Sequence, residues 1–195
     1  MARVGLKSAL FNQMDKDTKK YKDLENDEVP KLGRIIDEKF SPENNSAELY
    51  ADDALAESDY SFKKGNLLIT VADDDDTVEA LLLGNSAAED GEVTKNIEDV
   101  APEIGYGHIV TKLVGGARKY KVEFFPRVKI AKITTDGKTR AGNTEFGTTA
   151  IEGTVYPLEE DFNGLKAGDW EKHKTLDTYP AAFEYLKTLL TPSVN

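Results

Sequence analysis

The segment from Tyr120 to Phe124 alternates apolar and charged side chains, and it constrains the fold more than any other part of the chain. Tyr120, Val122 and Phe124 point to one face of an extended strand, and the charged residues between them point to the other. Val128 and Ile130 continue the alternation, so the sequence predicts that they share the face of Val122 and Phe124. The period of two predicts a half-buried β-strand rather than a helix.

Further stretches of the chain carry the same strand signals. They are residues 4–11, 32–40, 67–71, 104–114 and 145–156. Gly115-Gly116 is a turn signal that joins the strand at 104–114 to the one beginning near Lys119. Leu67, Ile69 and Val71 alternate with Leu68, Thr70 and Ala72. This pattern indicates that both faces of the strand are covered. The sequence therefore predicts a mainly β fold, a β-sandwich or a barrel-like sheet.

One short helix is predicted at about 76–83. Asp76 is expected to accept hydrogen bonds from the first-turn amides, and Glu79 three residues later completes a capping box. Val78, Leu81 and Leu82 form an apolar stripe along it. A helix of this length is not stable alone, so it is expected to pack on the sheet.

A second helix is predicted at about 180–190, with Pro180 in its first turn. The run Ser-Pro-Glu-Asn-Asn-Ser at 41–46 is a strong breaker. We expect one domain over residues 1–195, with a long loop at 41–64 and a C-terminal extension at 158–195. The charged stretch 15–28 is interpreted as a turn or mobile loop.

The composition argues against several classes of function. The formal charge is -11, from 36 acidic and 25 basic residues, and such a surface repels phosphate backbones instead of displacing their counterions. The absence of cysteine excludes disulfides, thiolate catalysis and Cys-based zinc sites. With neither a signal-peptide pattern nor a segment long enough to span a bilayer in this sequence, we expect a soluble protein made in a cytosol.

Few residues point to enzymatic or metal chemistry. His108 lies within a predicted strand, where a structural role is expected, and His173 is expected in a solvated loop. The run 73–76 is four aspartates, but it lacks the glycine of a calcium loop, and helix capping explains it better. The stretch 142–147 has the outer glycine spacing of a phosphate-binding loop without its lysine. We therefore expect no enzyme, no cofactor and no metal.

Several segments resemble the major tail proteins of long-tailed bacteriophages of Gram-positive hosts, the siphophages. These segments are the opening Met-Ala-Arg-Val-Gly-Leu-Lys at 1–7, Ala-Glu-Leu-Tyr-Ala-Asp-Asp at 47–53, Val-Ala-Pro at 100–102 and the strand at 146–157. Their order and spacing carry the resemblance, which covers residues 1 to about 157. The stretches 15–28 and 163–178 fit it less well.

The resemblance implies a structural virion protein that forms hexameric rings, which stack into the hollow tail tube through which DNA is delivered. Its implied partners are further copies of itself, the tail proteins at the tube ends and the tape measure protein inside. DNA would pass the acidic lumen without specific binding. The tube would be assembled in the host bacterial cytoplasm and belong to the virion tail. The candidate assembly interface is Leu49, Tyr50, Ala51, Asp52 and Asp53.

Two other classes of function remain open at this stage. One is a β-sandwich binding module of the carbohydrate-binding or adhesin type, which would expose aromatic residues in a cleft. The other is a small hydrolase that uses paired carboxylates. The single tryptophan argues against a sugar cleft.

Overall fold

The computed structural model describes residues 2–24, 28–51, 54–88, 90–136 and 147–192, and the side chains of these ranges except for 47–59. Ten strands and two helices form within them. In chain order they are β1 (Ala2–Gln13), β2 (Lys31–Gly33), β3 (Ile35–Ala51), β4 (Ala54–Val71), α1 (Asp76–Leu83), β5 (Ser86–Ala87), β6 (Val93–Thr94), β7 (Glu103–Val114), β8 (Ala117–Thr135), β9 (Thr149–Val155), β10 (Lys172–Leu176) and α2 (Tyr179–Leu190).

The main sheet is antiparallel and has β2 and β3 at its two edges. Its order is β2-β1-β7-β8-β9-β4-β3, with β10 added beside β8, while β5 and β6 form a separate small hairpin. The two ends of this order, β2 and β3, are separated along the chain by Arg34 alone, so one segment links both edges. Arg34 also accepts from the Ala72 amide at 2.9 Å and donates its own amide to Asp73 at 2.5 Å. The predicted mainly β fold is confirmed, and its sheet is barrel-like.

The interior of this curved sheet is a single apolar cluster, to which α1 contributes Leu82. Its buried members are Ala9, Phe11, Leu32, Leu67, Ile69, Val71, Leu82, Ile104, Tyr106, Phe125, Val128, Ile130, Ile151 and Val155. They come from six different strands as well as from the helix. Burial of the apolar side chains that these strands contribute is the main force that stabilises the curved sheet.

The predicted alternation along β8 is wrong beyond Phe124. Tyr106 pairs with Phe125 and Ile104 pairs with Val128. Between these two pairs, β8 therefore contains one residue more than β7. That extra residue is a β-bulge, and it exchanges the two faces of the strand. Val128 therefore faces the interior cluster, whereas Phe124 faces the opposite side of the sheet.

A second apolar cluster covers that opposite side, and α2 lies over it. Its buried members are Leu10, Met14, Tyr21, Val29, Ile109, Val122, Phe124, Leu158, Leu165, Ala182, Leu186, Leu189 and Leu190. Tyr21 is 3% exposed, and its hydroxyl donates to the Pro126 carbonyl at 2.8 Å. The turn predicted as one of the two alternatives for 15–28 is present at residues 16–18, and the buried Tyr21 ring packs this segment onto the sheet. His173 is not in a loop, because β10 pairs with β8 and His173 lies opposite Glu123.

The short helix α1 is confirmed, but its N-cap is one residue earlier than predicted. The Asp75 side chain, not that of Asp76, accepts from the amides of Thr77 and Val78 at 2.9 and 3.2 Å. Asp75 has the extended backbone of an N-cap, whereas Asp76 is already helical. The predicted stripe is also narrower, since Leu82 is fully buried and Leu81 is 36% exposed.

The C-terminal helix α2 is confirmed, with Pro180 in its first turn and Thr178 as N-cap. The Thr178 hydroxyl accepts from the Ala181 amide at 3.4 Å. Four residues of α2 are buried against the sheet, namely Ala182, Leu186, Leu189 and Leu190. Neither α1 nor α2 is long and apolar enough to cross a membrane, and these are the helices of the described ranges.

Candidate assembly surface and a buried ionic cluster

A two-stranded β-hairpin extends from the barrel between Pro42 and Lys64. β3 pairs with β4 along its whole length, from Ile35 opposite Val71 to Ala51 opposite Ala54. β9 pairs only with the Gly65–Val71 part of β4. Beyond that point the two strands have each other as their only neighbours among the strands described. Nine residues at about 3.3 Å each give the hairpin a reach of roughly 30 Å.

The expectation of a loop at 41–64 is therefore corrected. Pro42 has no amide hydrogen to donate, which excludes it from central strands but not from an edge strand. β3 is an edge strand here, with β4 on one side only. A register shift between Glu43 and Asn44 also absorbs the irregularity next to the proline.

Stacked aromatic rings hold the base of the hairpin against the barrel. Trp170 stacks on Phe62 with ring centroids 4.2 Å apart and on Phe40 at 5.5 Å. Phe40 in turn lies 5.0 Å from Phe125 of the interior cluster. A Cβ atom at Gly65 would lie 2.2 Å from the Phe40 ring, so only glycine at that position lets the ring cross β4.

Next to its base, the part of the hairpin whose side chains are described is largely polar and exposed. Asn44, Asn45 and Ser46 of β3 and Ser61 of β4 are exposed, and the Asn45 amide reaches the Ser61 hydroxyl at 3.4 Å. Tyr60 is 62% exposed. An isolated two-stranded hairpin is at best marginally stable in water. A surface provided by another chain would remove that limitation.

The predicted interface residues lie at the far end of this hairpin. The backbones of Leu49, Tyr50 and Ala51 pair with Glu57, Leu55 and Ala54 respectively. Asp52 and Asp53 are outside the described residues. The predicted interface thus lies in the part of the segment farthest from the barrel.

A buried ionic cluster lies at the polar end of the barrel interior. His108 is 0% exposed and stacks beside Tyr106 at 5.8 Å. Its Nδ1 is 2.7 Å from Glu38 Oε2, and its Nε2 is 3.2 Å from Glu123 Oε2. Neither N–H points straight at its oxygen, so these contacts are ion pairs rather than linear hydrogen bonds. The structural role expected for His108 stays a prediction, and its two acidic neighbours were missed.

Two cations bind one carboxylate of this cluster, that of Glu123. Glu123 Oε1 accepts from Arg3 at 2.7 Å and from Lys121 at 2.5 Å. The contacts with His108 and Lys121 outweigh the effect of burial and lower the pKa of Glu123 to about 2. Two carboxylates facing a histidine are a possible set of metal ligands. Here, however, Arg3 and Lys121 both bind Glu123 Oε1, and their positive charges would repel a divalent cation beside that carboxylate.

The other residues with chemical potential have separate structural partners. Asp73 accepts from the Arg34 side chain at 2.8 Å, and this hydrogen bond lowers the pKa of Asp73. Asp75 caps α1, and Asp74 lies 3.4 Å from the Thr135 hydroxyl. The four aspartates thus do not converge on one point. His173 is exposed and its Nδ1 is 3.1 Å from Glu171.

Several solved structures are similar to this chain. No protein-family model matches the chain, and no curated protein does. The chain is similar to the tube-terminating cap of the anti-feeding prophage, with 8% identity over 90% of this chain and 93% of that one, at a TM-score of 0.45. It is also similar to a type six secretion system protein, with 13% identity over 89% and 97% of the two chains, at a TM-score of 0.37. At these scores the likeness carries no argument about function.

Proposed function

We propose that this chain is a structural subunit of a phage-type tail that polymerises with copies of itself. The observation that carries the proposal is the hairpin between Pro42 and Lys64. It leaves the barrel with no other strand beside it among those described. Ordering about twenty residues in a two-stranded ribbon costs conformational entropy, and the contacts within the ribbon offset only part of that cost. A neighbouring subunit would supply the missing contacts.

The finer account follows the sequence resemblance given above. In it, residues 1–195 form one tail-tube domain, six copies make a ring, and rings stack into a tube. The tube would take up the tape measure protein and contact other tail proteins at its ends. It would belong to the virion and be assembled in the host bacterial cytoplasm. With a formal charge of -11, an acidic lumen would let duplex DNA slide without binding it.

The proposed interface is the outer part of the hairpin, including Leu49, Tyr50, Ala51, Asp52 and Asp53. An enzyme is not proposed. His108 is wholly buried, and His173 is held by Glu171 on the surface.

A shortened hairpin tests the proposal. Ser46 and Tyr60 are direct partners, so residues 47–59 can be replaced by Asn-Gly, which forms a two-residue turn between paired strands. The shortened chain should keep its melting temperature, because the stacked base at Phe40, Phe62 and Trp170 is untouched. It should remain monomeric in sedimentation velocity at concentrations where the full chain assembles.

A matched control separates loss of the hairpin from loss of length elsewhere. In the control, residues 86–94 are shortened to a turn, which removes the small β5–β6 hairpin and leaves the long one intact. The control should assemble like the full chain. Assembly of the shortened-hairpin chain, or a full chain that stays monomeric at every concentration tested, would contradict the proposal.

A further inference from the structure

We infer that Glu38, His108 and Glu123 form a protonation-dependent ionic contact that holds the base of the long hairpin against the barrel. The inference concerns the single chain and goes beyond the proposed polymerisation. His108 and Glu123 are cross-strand partners on β7 and β8, whereas Glu38 belongs to β3, the first strand of the hairpin. The imidazole therefore joins the hairpin strand to the opposite side of the barrel.

The positions of the two ring nitrogens indicate which form of the histidine fits. Nδ1 faces one carboxylate oxygen and Nε2 faces another, at 2.7 and 3.2 Å. A neutral imidazole carries one proton, so one of its nitrogens would present a lone pair to a carboxylate. Only the imidazolium attracts both oxygens. The charged form is therefore the one that holds Glu38 and Glu123 together.

The other charged or titratable groups described around the ring leave both carboxylates available to it. Arg3 of β1 and Lys121 of β8 bind Glu123 Oε1, so Glu123 stays ionised beside the ring. The Tyr106 hydroxyl donates to Glu38 Oε2 at 2.9 Å, and burial together with Glu38 raises the pKa of Tyr106 well above its ordinary range. Tyr106 therefore remains a neutral donor. Lys112 of β7 lies at the edge of the group, and burial and Lys121 lower its pKa.

Glu38 depends on the ring more than Glu123 does. Among the described residues, Glu38 contacts the Tyr106 hydroxyl and His108, whereas Glu123 keeps two cations if the ring loses its charge. Deprotonation of His108 thus leaves a carboxylate with a side chain only 6% exposed and without a cation. Such a group is costly in a low-dielectric site. β3 would move to rehydrate it, and the hairpin base would loosen.

The direction of the pH dependence follows from the same contacts. The contacts with Glu123 and Glu38 outweigh desolvation and raise the pKa of His108 above its ordinary 6.5. A group whose pKa is raised in the folded state stabilises that state fully below its unfolded pKa and loses the effect as pH rises through the folded pKa. This contact is therefore fully formed below pH 6.5 and is lost as the pH rises through the folded-state pKa of His108.

The single tryptophan makes the hairpin base observable. Trp170 stacks on Phe40 and Phe62 of the two hairpin strands. Acrylamide quenching of its fluorescence, measured on the full chain from about pH 6 to about pH 9, reports opening there. Proton NMR follows the two histidines over the same range. His173→Gln assigns the spectra and serves as the matched control, because that histidine is exposed.

We expect His108 to titrate above pH 6.5 and Trp170 quenching to rise along the same titration curve. As the pH rises through this titration, the equilibrium constant for opening should increase in total by on the order of tenfold for each pH unit that separates the pKa of His108 in the closed state from its ordinary value. His173→Gln should keep this transition, and Glu38→Gln should weaken it. In His108→Gln, quenching should be independent of pH.

Three results would overturn the inference. One is a His108 that stays neutral or titrates at or below 6.5 in the wild-type chain, a measurement that needs no variant. Another is a Trp170 signal that does not follow the titration of His108. The third is a zinc-dependent rise in melting temperature that is lost in His108→Gln, since it would make the cluster a metal site.

Discussion

The two neighbouring leucines of α1 allow one prediction in which burial is the only variable. Leu82 is fully buried in the interior cluster, whereas Leu81 is 36% exposed. Both belong to the same helix turn, so Leu→Ala changes helix propensity equally at each position. Leu82→Ala removes buried methyl groups and leaves a cavity, which costs about 2–5 kcal/mol of unfolding free energy. Leu81→Ala should cost less than about 1 kcal/mol.

These values translate into separable melting temperatures. For a chain of this size, 1 kcal/mol corresponds to about 2–4 °C, so Leu82→Ala should melt roughly 4–20 °C lower. Urea unfolding followed by circular dichroism gives the free energies directly. The Gln13 side chain donates to the backbone carbonyl of Leu81 at 2.6 Å, a contact that neither substitution removes. Equal losses for the two variants would refute the placement of α1 against the interior cluster.

Three further predictions concern capping, the hairpin base and DNA. Asp75→Ala should lower the free energy of unfolding by about 1 kcal/mol through loss of the N-cap, while Asp76→Ala should change it far less; a larger loss for Asp76→Ala in urea melts would restore the capping predicted from sequence. Gly65→Ala should cost about 1–3 kcal/mol because its Cβ meets the Phe40 ring, whereas Gly5→Ala, with nothing within 4 Å, should show no comparable loss in a thermal melt. Duplex DNA should not bind at physiological salt because of the formal charge of -11; a submicromolar, salt-sensitive affinity in a gel-shift assay would contradict this.

The sequence predicted those parts of the fold that depend on neighbours along the chain. The strand at 120–124 and the helices at 76–83 and 180–190 follow from periodicity and capping residues, and all three are present. The exchange of faces after Phe124 was not predictable in the same way, because the bulge there is defined by pairing with β7. The pattern within one strand does not show how many residues of the partner strand pair with it.

The hairpin and the ionic cluster depend on contacts between distant residues. Pro42 is a breaker by local rules, and only the edge position of β3 makes it compatible with a strand. His108 and Glu123 are partners on the consecutive strands β7 and β8, but Glu38 reaches them from β3, about seventy residues earlier in the chain. The one available signal was a histidine inside an apolar strand, which indicates burial but does not identify its partners.

Negative-stain electron microscopy of the concentrated full-length chain tests the central claim most directly. The subunits should appear as rings with six-fold symmetry, or as tubes built from such rings, and the fraction assembled should increase with protein concentration. A uniform field of single particles at the highest concentration reached, with a sedimentation coefficient of a monomer in the same sample, would contradict the claim that this chain acts by polymerising with itself.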